Sequence, residues 1–297
     1  MKQTKFFLYA SYVLLLICVV LIVIYGVVLY FGKDCECIFS FLLAPLKENF
    51  GDIMAGTVGI LLSFASTLFL FITFKEQRKQ FELSEKSHKI ASFEDTFFNI
   101  MSLLSDVRRT TIESLKNHNI NSIEEYYDKF VSYFIGVKNS SIVEEYFKEL
   151  ASDNTIDSVV DAAKHEVGLC YKEYVDETEG NIGYFFRYIF NTIRFVKDQD
   201  GSIITKQRYI NLLQSQLSDE ELALLFYDAI SPYGKNKNGE SVFFEMLEAS
   251  EMLENISENV LINRSHTKFY PLTKFKFLSR KELAEVVRRR KSIVLSN

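Results

Sequence analysis

The chain has 297 residues, 48% of them hydrophobic, 25% charged and 14% aromatic, with a formal net charge of −5. That balance excludes a globally basic nucleic-acid binder, and the apolar share excludes a chain that is disordered throughout. Four cysteines, Cys18, Cys35, Cys37 and Cys170, have the spacing of neither a disulfide framework nor a zinc site, so neither a metal nor a cofactor is expected.

Only three prolines and twelve glycines interrupt the chain, and Leu, Lys, Glu and Phe recur at spacings of three and four. The predicted fold class is all-α, with an N-terminal two-helix transmembrane hairpin followed by an α-helical cytosolic domain. The expected divisions are a hairpin over 1–75, an exit and docking helix over 76–118, a helical cytosolic domain over 119–263 and a basic tail over 264–297.

The first apolar run, 6–31, contains no charge and is longer than the roughly 7 to 15 residues of a signal-peptide core. Tyr9 and Tyr12 near one end, with Tyr25 and Tyr30 near the other, suit the two interfaces of a bilayer. A loop over 32–51 follows. Its Cys35 and Cys37 are free thiols or, in an oxidising compartment, a linkage between subunits.

The second run, 52–74, is about 35 Å long at the helical rise and spans a hydrocarbon core of about 30 Å with modest tilt. Lys2 and Lys5 precede the first run, and Lys75, Arg78, Lys79, Lys86 and Lys89 follow the second. Both ends are therefore expected in the cytoplasm, with a short loop outside, as in a multi-pass membrane protein. Within the second run Gly56, Gly59, Ser63 and Ser66 share one helical face on which backbones can approach closely. That face receives either the first run or another subunit.

Beyond Lys75 the helical pattern persists, with Phe93, Phe97, Phe98, Ile100, Met101, Leu104 and Val107 as an apolar stripe. The segments "SIEEYYDKFVSYFI" and "SIVEEYFKELA" place aromatics at helical spacing, as core residues. "DETEGNIG" reads as a loop before the helix "YFFRYIFNTIRFVK", which puts Arg187, Asn191 and Arg194 on one polar face. Ser218 with Glu221 three residues later is a capping box, so two helices meet there. Arg187 or Arg194 is expected to pair with Glu220, Glu221 or Asp228. The tail holds ten Lys or Arg against Glu282 and Glu285, and its Arg288, Arg289, Arg290 and Lys291 are candidates for contact with anionic lipid or nucleic acid.

No phosphate-binding loop, dinucleotide fingerprint, H-E-x-x-H or G-x-S-x-G is present, and no Arg and His stand four to six residues apart as a helical ribonuclease site of the HEPN type requires. Asp161 and His165 lie one turn apart, a surface pair rather than a catalytic one. No catalytic residue is predicted.

The blocks "FGDIMAG", "ITFKEQRKQFE", "FEDTFFNIM", "YFFRYIFNTIRFV" and "YINLLQSQLSDEELALLFYDAIS" resemble the phage abortive infection family of AbiC-like proteins, over about residues 50–105 and 183–231. The positions that carry the resemblance are Asp52, Phe93, Phe97, Phe98, Tyr209, Gln216, Ser218, Glu221 and Tyr227, with Leu217 and Leu222 in the last and most specific block. The family pattern has a second glycine and often Asn-Pro after Gly-Asp, where this chain has Ala55, Gly56, Thr57 and Val58. The resemblance implies antiphage defence in a bacterium, in which infection triggers arrest or death of the host cell before phage are released. Together with the small-residue stripe and the continuous exit helix it gives the leading expectation, a non-enzymatic effector of the inner membrane whose cytosolic helices sense infection or a partner and whose spans, as an oligomer, compromise the membrane. Two other readings stand beside it: a membrane-tethered adaptor that captures a phage component, and a divergent nuclease using the basic tail.

Overall fold

A computed structural model describes residues 2–31, 39–138, 150, 157–179 and 181–296. Every regular element among them is helical, and no strand occurs among the described residues. The chain divides into two compact units, Met1–Lys89 and Ile90–Asn297.

The first unit contains α1 (Lys2–Phe31) and the first part of α2 (Phe39–Leu115). Helix α2 starts thirteen residues earlier than the apolar run, so most of the loop expected over 32–51 is helical. The reason lies in "FSFLLAPLKENF", a run of good helix formers in which Pro45 is the sole strong breaker. No break follows at Ala55–Val58. Cys35 and Cys37 lie outside the described residues.

Cys18 on α1 and Ala65 and Ile72 on α2 are buried, and Tyr12 meets Phe69 edge-on with ring centroids 6.2 Å apart. Val58, Leu61 and Leu68 are half-buried beside Ala65 and Ile72, which defines one covered face of α2. The hydroxyls of Thr67 and Thr73 donate to the carbonyls of Ser63 and Phe69, each at 2.8 Å. An O–H satisfied one turn back leaves no polar demand on an apolar surrounding.

The second unit is built on α3 (Ile123–Lys138), α4 (Asp157–Glu177), α5 (Gly183–Lys197), α6 (Lys206–Gln214), α7 (Asp219–Ile230), α8 (Val242–Ser250) and α9 (Arg280–Ser296), together with the end of α2. Short 3-10 turns stand at Lys116–His118, Pro232–Gly234, Glu258–Val260 and Arg264–Phe269.

Helix α7 is the centre. Every residue from Glu221 to Ile230 is buried, the signature of a helix enclosed on all sides. It packs on α3, α4 and α8. Gly168 sets the closeness of α4: a Cβ there would stand 2.6 Å from the Ile230 carbonyl oxygen. Phe130 from α3 fills the junction, its ring 5.0 Å from Tyr171 and 5.3 Å from Tyr227. The aromatics of the α3 segment thus form core, as their helical spacing predicts. "SIVEEYFKELA" lies outside the described residues except for Leu150, which is buried.

Candidate functional site

The apolar part of α2 carries a shallow open groove lined by Gly56, Gly59, Ile60, Ser63, Phe64 and Thr67. At about 100° per residue this face lies well over a quarter turn from the covered face at Ala65 and Ile72. Gly56, Gly59, Ser63 and Ser66 are all exposed, and a Cβ built on either glycine meets nothing within 4 Å. The small residues therefore share a side of the helix, and it is not the side buried at Ala65 and Ile72. Asp52 is exposed as well. Among the described residues one helix, Gly56–His118, contains a stretch long and apolar enough to cross a membrane, and Tyr12–Ile24 is a shorter apolar helical stretch.

Within the second unit the last turns of α2 are held by rings and three polar contacts. Phe93 and Phe97 are buried against Tyr209, with centroids at 4.7 and 5.2 Å, and Phe93 stacks on Phe195 at 5.3 Å. The Tyr209 hydroxyl donates to Glu94 Oε1 at 2.7 Å, and the Tyr188 hydroxyl donates to the Ile100 carbonyl at 2.5 Å. Leu104 and Val107 complete the buried stripe, while Ile100 and Met101 flank it. Phe98 departs from the expectation: it is 53% exposed, because it stands about 140° around the helix from Phe93.

The third contact is the strongest. Arg108 Nε donates to Glu221 Oε1 at 2.6 Å and its Nη2 to Glu221 Oε2 at 2.9 Å, with a further bond from Nη2 to the Gln216 carbonyl at 2.9 Å. Planar guanidinium and carboxylate match as a two-point fork, and the bond to Glu221 raises the Arg108 pKa against the opposing effect of partial burial. Glu221 also closes the capping box. Its Oε2 accepts the Ser218 N–H at 3.0 Å, and its own N–H donates to Ser218 Oγ at 3.2 Å. Gln216 contributes its backbone, its side chain being exposed.

The predicted partners of Glu221 are corrected here. Arg187 donates to the Gly183 carbonyl, Arg194 lies 3.7 Å from Asp198, and Asn191 is exposed on the same face as both. These residues look outward from α5, because the bulky face that packs inward carries Phe186, Ile189, Ile193 and Val196.

Tyr227 anchors the segment after α8. Its hydroxyl accepts the Ile262 N–H at 2.9 Å and pairs with His266 Nδ1 at 3.0 Å, while the His266 ring stacks on Phe269 at 4.9 Å. Neighbouring Asp228 is buried, and burial pushes its carboxyl up to about 7. Its charge acts on the hydroxyls of Tyr126, Tyr171 and Tyr270. Lys164 sits 3.3 Å over the Phe244 ring, and burial lowers its pKa to about 8.

The basic residues divide. Arg264 bonds Glu258 and Glu282, Arg289 bonds Glu285, and Arg290 donates to the Leu272 carbonyl and to Glu251 Oε1, each at 2.6 Å. Arg288 and Lys291 are exposed. Among the described residues no three His, Cys, Asp or Glu side chains gather as a metal site.

Among the described residues these features define an all-helical protein, with one helix that contains a stretch of membrane-crossing length and a helical body organised around α7. Residues 177–261, which run from the end of α4 through α8, match the model of the family described as "Putative phage abortive infection protein". The resemblance read from "YFFRYIFNTIRFV" and "YINLLQSQLSDEELALLFYDAIS" is therefore met in that segment, where Tyr209, Gln216, Ser218, Glu221 and Tyr227 lie. The blocks before residue 105 fall outside the matched residues. No curated protein and no solved structure matches the chain.

Sequence reasoning did not find Arg108, Glu94, Tyr188, Lys164 or His266. Glu94 and Tyr209 stood in blocks that were singled out, but they are separated by 115 residues and nothing local pairs them.

Proposed function

We propose that the protein acts in bacterial antiphage defence of the abortive infection type, as a non-enzymatic effector of the inner membrane. The observation that carries the defence reading is the family match over residues 177–261. The membrane reading is supported by the apolar stretch of α2, by the exposed apolar side chains of α1 and by hydroxyls satisfied within the helix. In this reading α1 and α2 cross the bilayer as a hairpin with both chain ends in the cytoplasm. Copies associate through the open face of Gly56, Gly59, Ser63 and Ser66, where small side chains let helix backbones approach.

The helical body senses a phage product or a host partner. Tyr209–Glu94, Tyr188–Ile100 and Arg108–Glu221 tie the end of α2 to α5, to α6 and to the start of α7, so a change at α7 alters what holds α2. The consequence for the infected cell is loss of membrane integrity before phage release.

Phage challenge of cells expressing the protein, with membrane potential, RNA integrity and survival followed together, tests the proposal. Protection accompanied by depolarisation and intact RNA is the expected result. Protection with a sustained potential overturns the membrane action, and protection with degraded RNA overturns the non-enzymatic reading.

A further inference from the structure

On α9 the inner and outer sides differ sharply in chemistry. Val286 is buried, Leu283 and Glu282 are half-buried, and Arg290 is fixed to Leu272 and Glu251, so these four mark the docked side. About half a turn away, at 100° per residue, Arg280, Lys281, Ala284, Val287, Arg288 and Lys291 form the outer side, and all six are exposed. That stripe contains four cations and no carboxylate. Glu285 is on the flank and is engaged by Arg289, and Glu282 is held by Arg264 and by the Ser279 N–H.

We infer that this outer face of α9 is a docking surface for anionic membrane lipid. Charge complementarity calls for a polyanion, and the uncharged residues in the stripe decide between kinds of polyanion. Ala284 and Val287 stand among the cations, Val287 at 39% exposure, which is the pattern of a helix lying in a headgroup layer with its short apolar groups directed toward the acyl boundary. Single-stranded nucleic acid is recognised by stacking, and α9 carries no aromatic or histidine side chain. Base edges are read by Asn, Gln and Arg forks, and beside Arg280 and Arg288 the helix offers neither Asn nor Gln. The inference rests on the proposed membrane placement, which keeps the body close to a lipid surface.

The chain has no tryptophan, so Val287→Trp supplies a single reporter in the middle of the stripe. The full-length protein is placed in nanodiscs with brominated acyl chains, made of neutral phosphatidylcholine or with roughly a third of anionic phosphatidylglycerol. Quenching is expected in the anionic discs, weaker in the neutral ones, and reduced by roughly 0.5 M salt. Each cation removed should weaken the surface-bound population by roughly fivefold. Replacing Arg280, Lys281, Arg288 and Lys291 together by Gln should abolish the difference between discs, while Arg280→Lys with Arg288→Lys should preserve it. Equal quenching in both lipids, or a reporter that responds to added duplex RNA and not to lipid charge, overturns the inference while leaving the membrane placement standing. A chain that does not enter the discs overturns that placement, and the inference with it.

Discussion

The Arg108–Glu221 pair gives the sharpest energetic prediction. The Glu221 side chain is 2% exposed and that of Arg108 31%, so removing the guanidinium leaves a carboxylate in the interior with only the Ser218 N–H for company. Breaking a buried pair from one side costs about 3–5 kcal/mol. Access of water from the Arg108 side and the surviving cap lower this to about 2–3 kcal/mol for Arg108→Met. For a body of this size 1 kcal/mol moves the midpoint by about 2–4 °C, so thermal unfolding of the full-length protein in detergent should shift down by about 5–10 °C. Glu221→Gln, which keeps part of the cap, should cost less. The double variant should lie above the sum of the singles by about 1–3 kcal/mol, as residues in direct contact do. A shift under about 1 °C for Arg108→Met, or a coupling energy near zero, would refute the clamp.

Asp228→Asn should raise the midpoint at pH 8 far more than at pH 5. Its folded pKa, about 7, lies above the ordinary value of 3.8, so the stability it contributes is present while it is protonated and is lost as the pH rises from about 4 to about 7. Parallel stability profiles of the two proteins across pH 5–8 would count against a buried, proton-bearing carboxyl. Gly168→Ala should destabilise by about 1–3 kcal/mol through the clash with the Ile230 carbonyl, whereas Gly59→Ala, which meets no atom of its own chain, should not destabilise the fold; denaturant melts compare the two. Tyr227→Phe should cost about 1–3 kcal/mol, because the bonds of its hydroxyl to the Ile262 N–H and to His266 Nδ1 are both lost, and faster amide exchange at Ile262 would report it.

The helices and their buried faces were legible where periodicity is strong. The α5 and α7 segments follow their apolar spacing, and the capping box at Ser218 and Glu221 forms as its spacing predicts. Phe98 shows the limit of a stripe read by eye, since three phenylalanines within six residues, two of them adjacent, cannot all face one way at 3.6 residues per turn. Glu221 was recognised as a cap and as a paired acid, but its partner was sought on α5. Arg108 is 113 residues away, and only the tertiary fold decides which arginine reaches a given carboxylate. The same holds for the small-residue face of α2. Composition identifies the stripe at Gly56, Gly59, Ser63 and Ser66, while its position away from the face buried at Ala65 and Ile72 depends on how α1 lies. The exposed stripe of α9 was visible only as a run of charge until Arg290 and Val286 were seen to face the body.

The central claim is that an infected cell is protected because this protein acts on its own membrane. The most direct measurement is membrane potential in single infected cells, comparing the native chain with Gly56→Leu plus Gly59→Leu at matched expression and membrane insertion. The account predicts depolarisation before lysis with the native chain, and a sustained potential with loss of protection in the variant. Full protection by both proteins with the potential maintained throughout would contradict it.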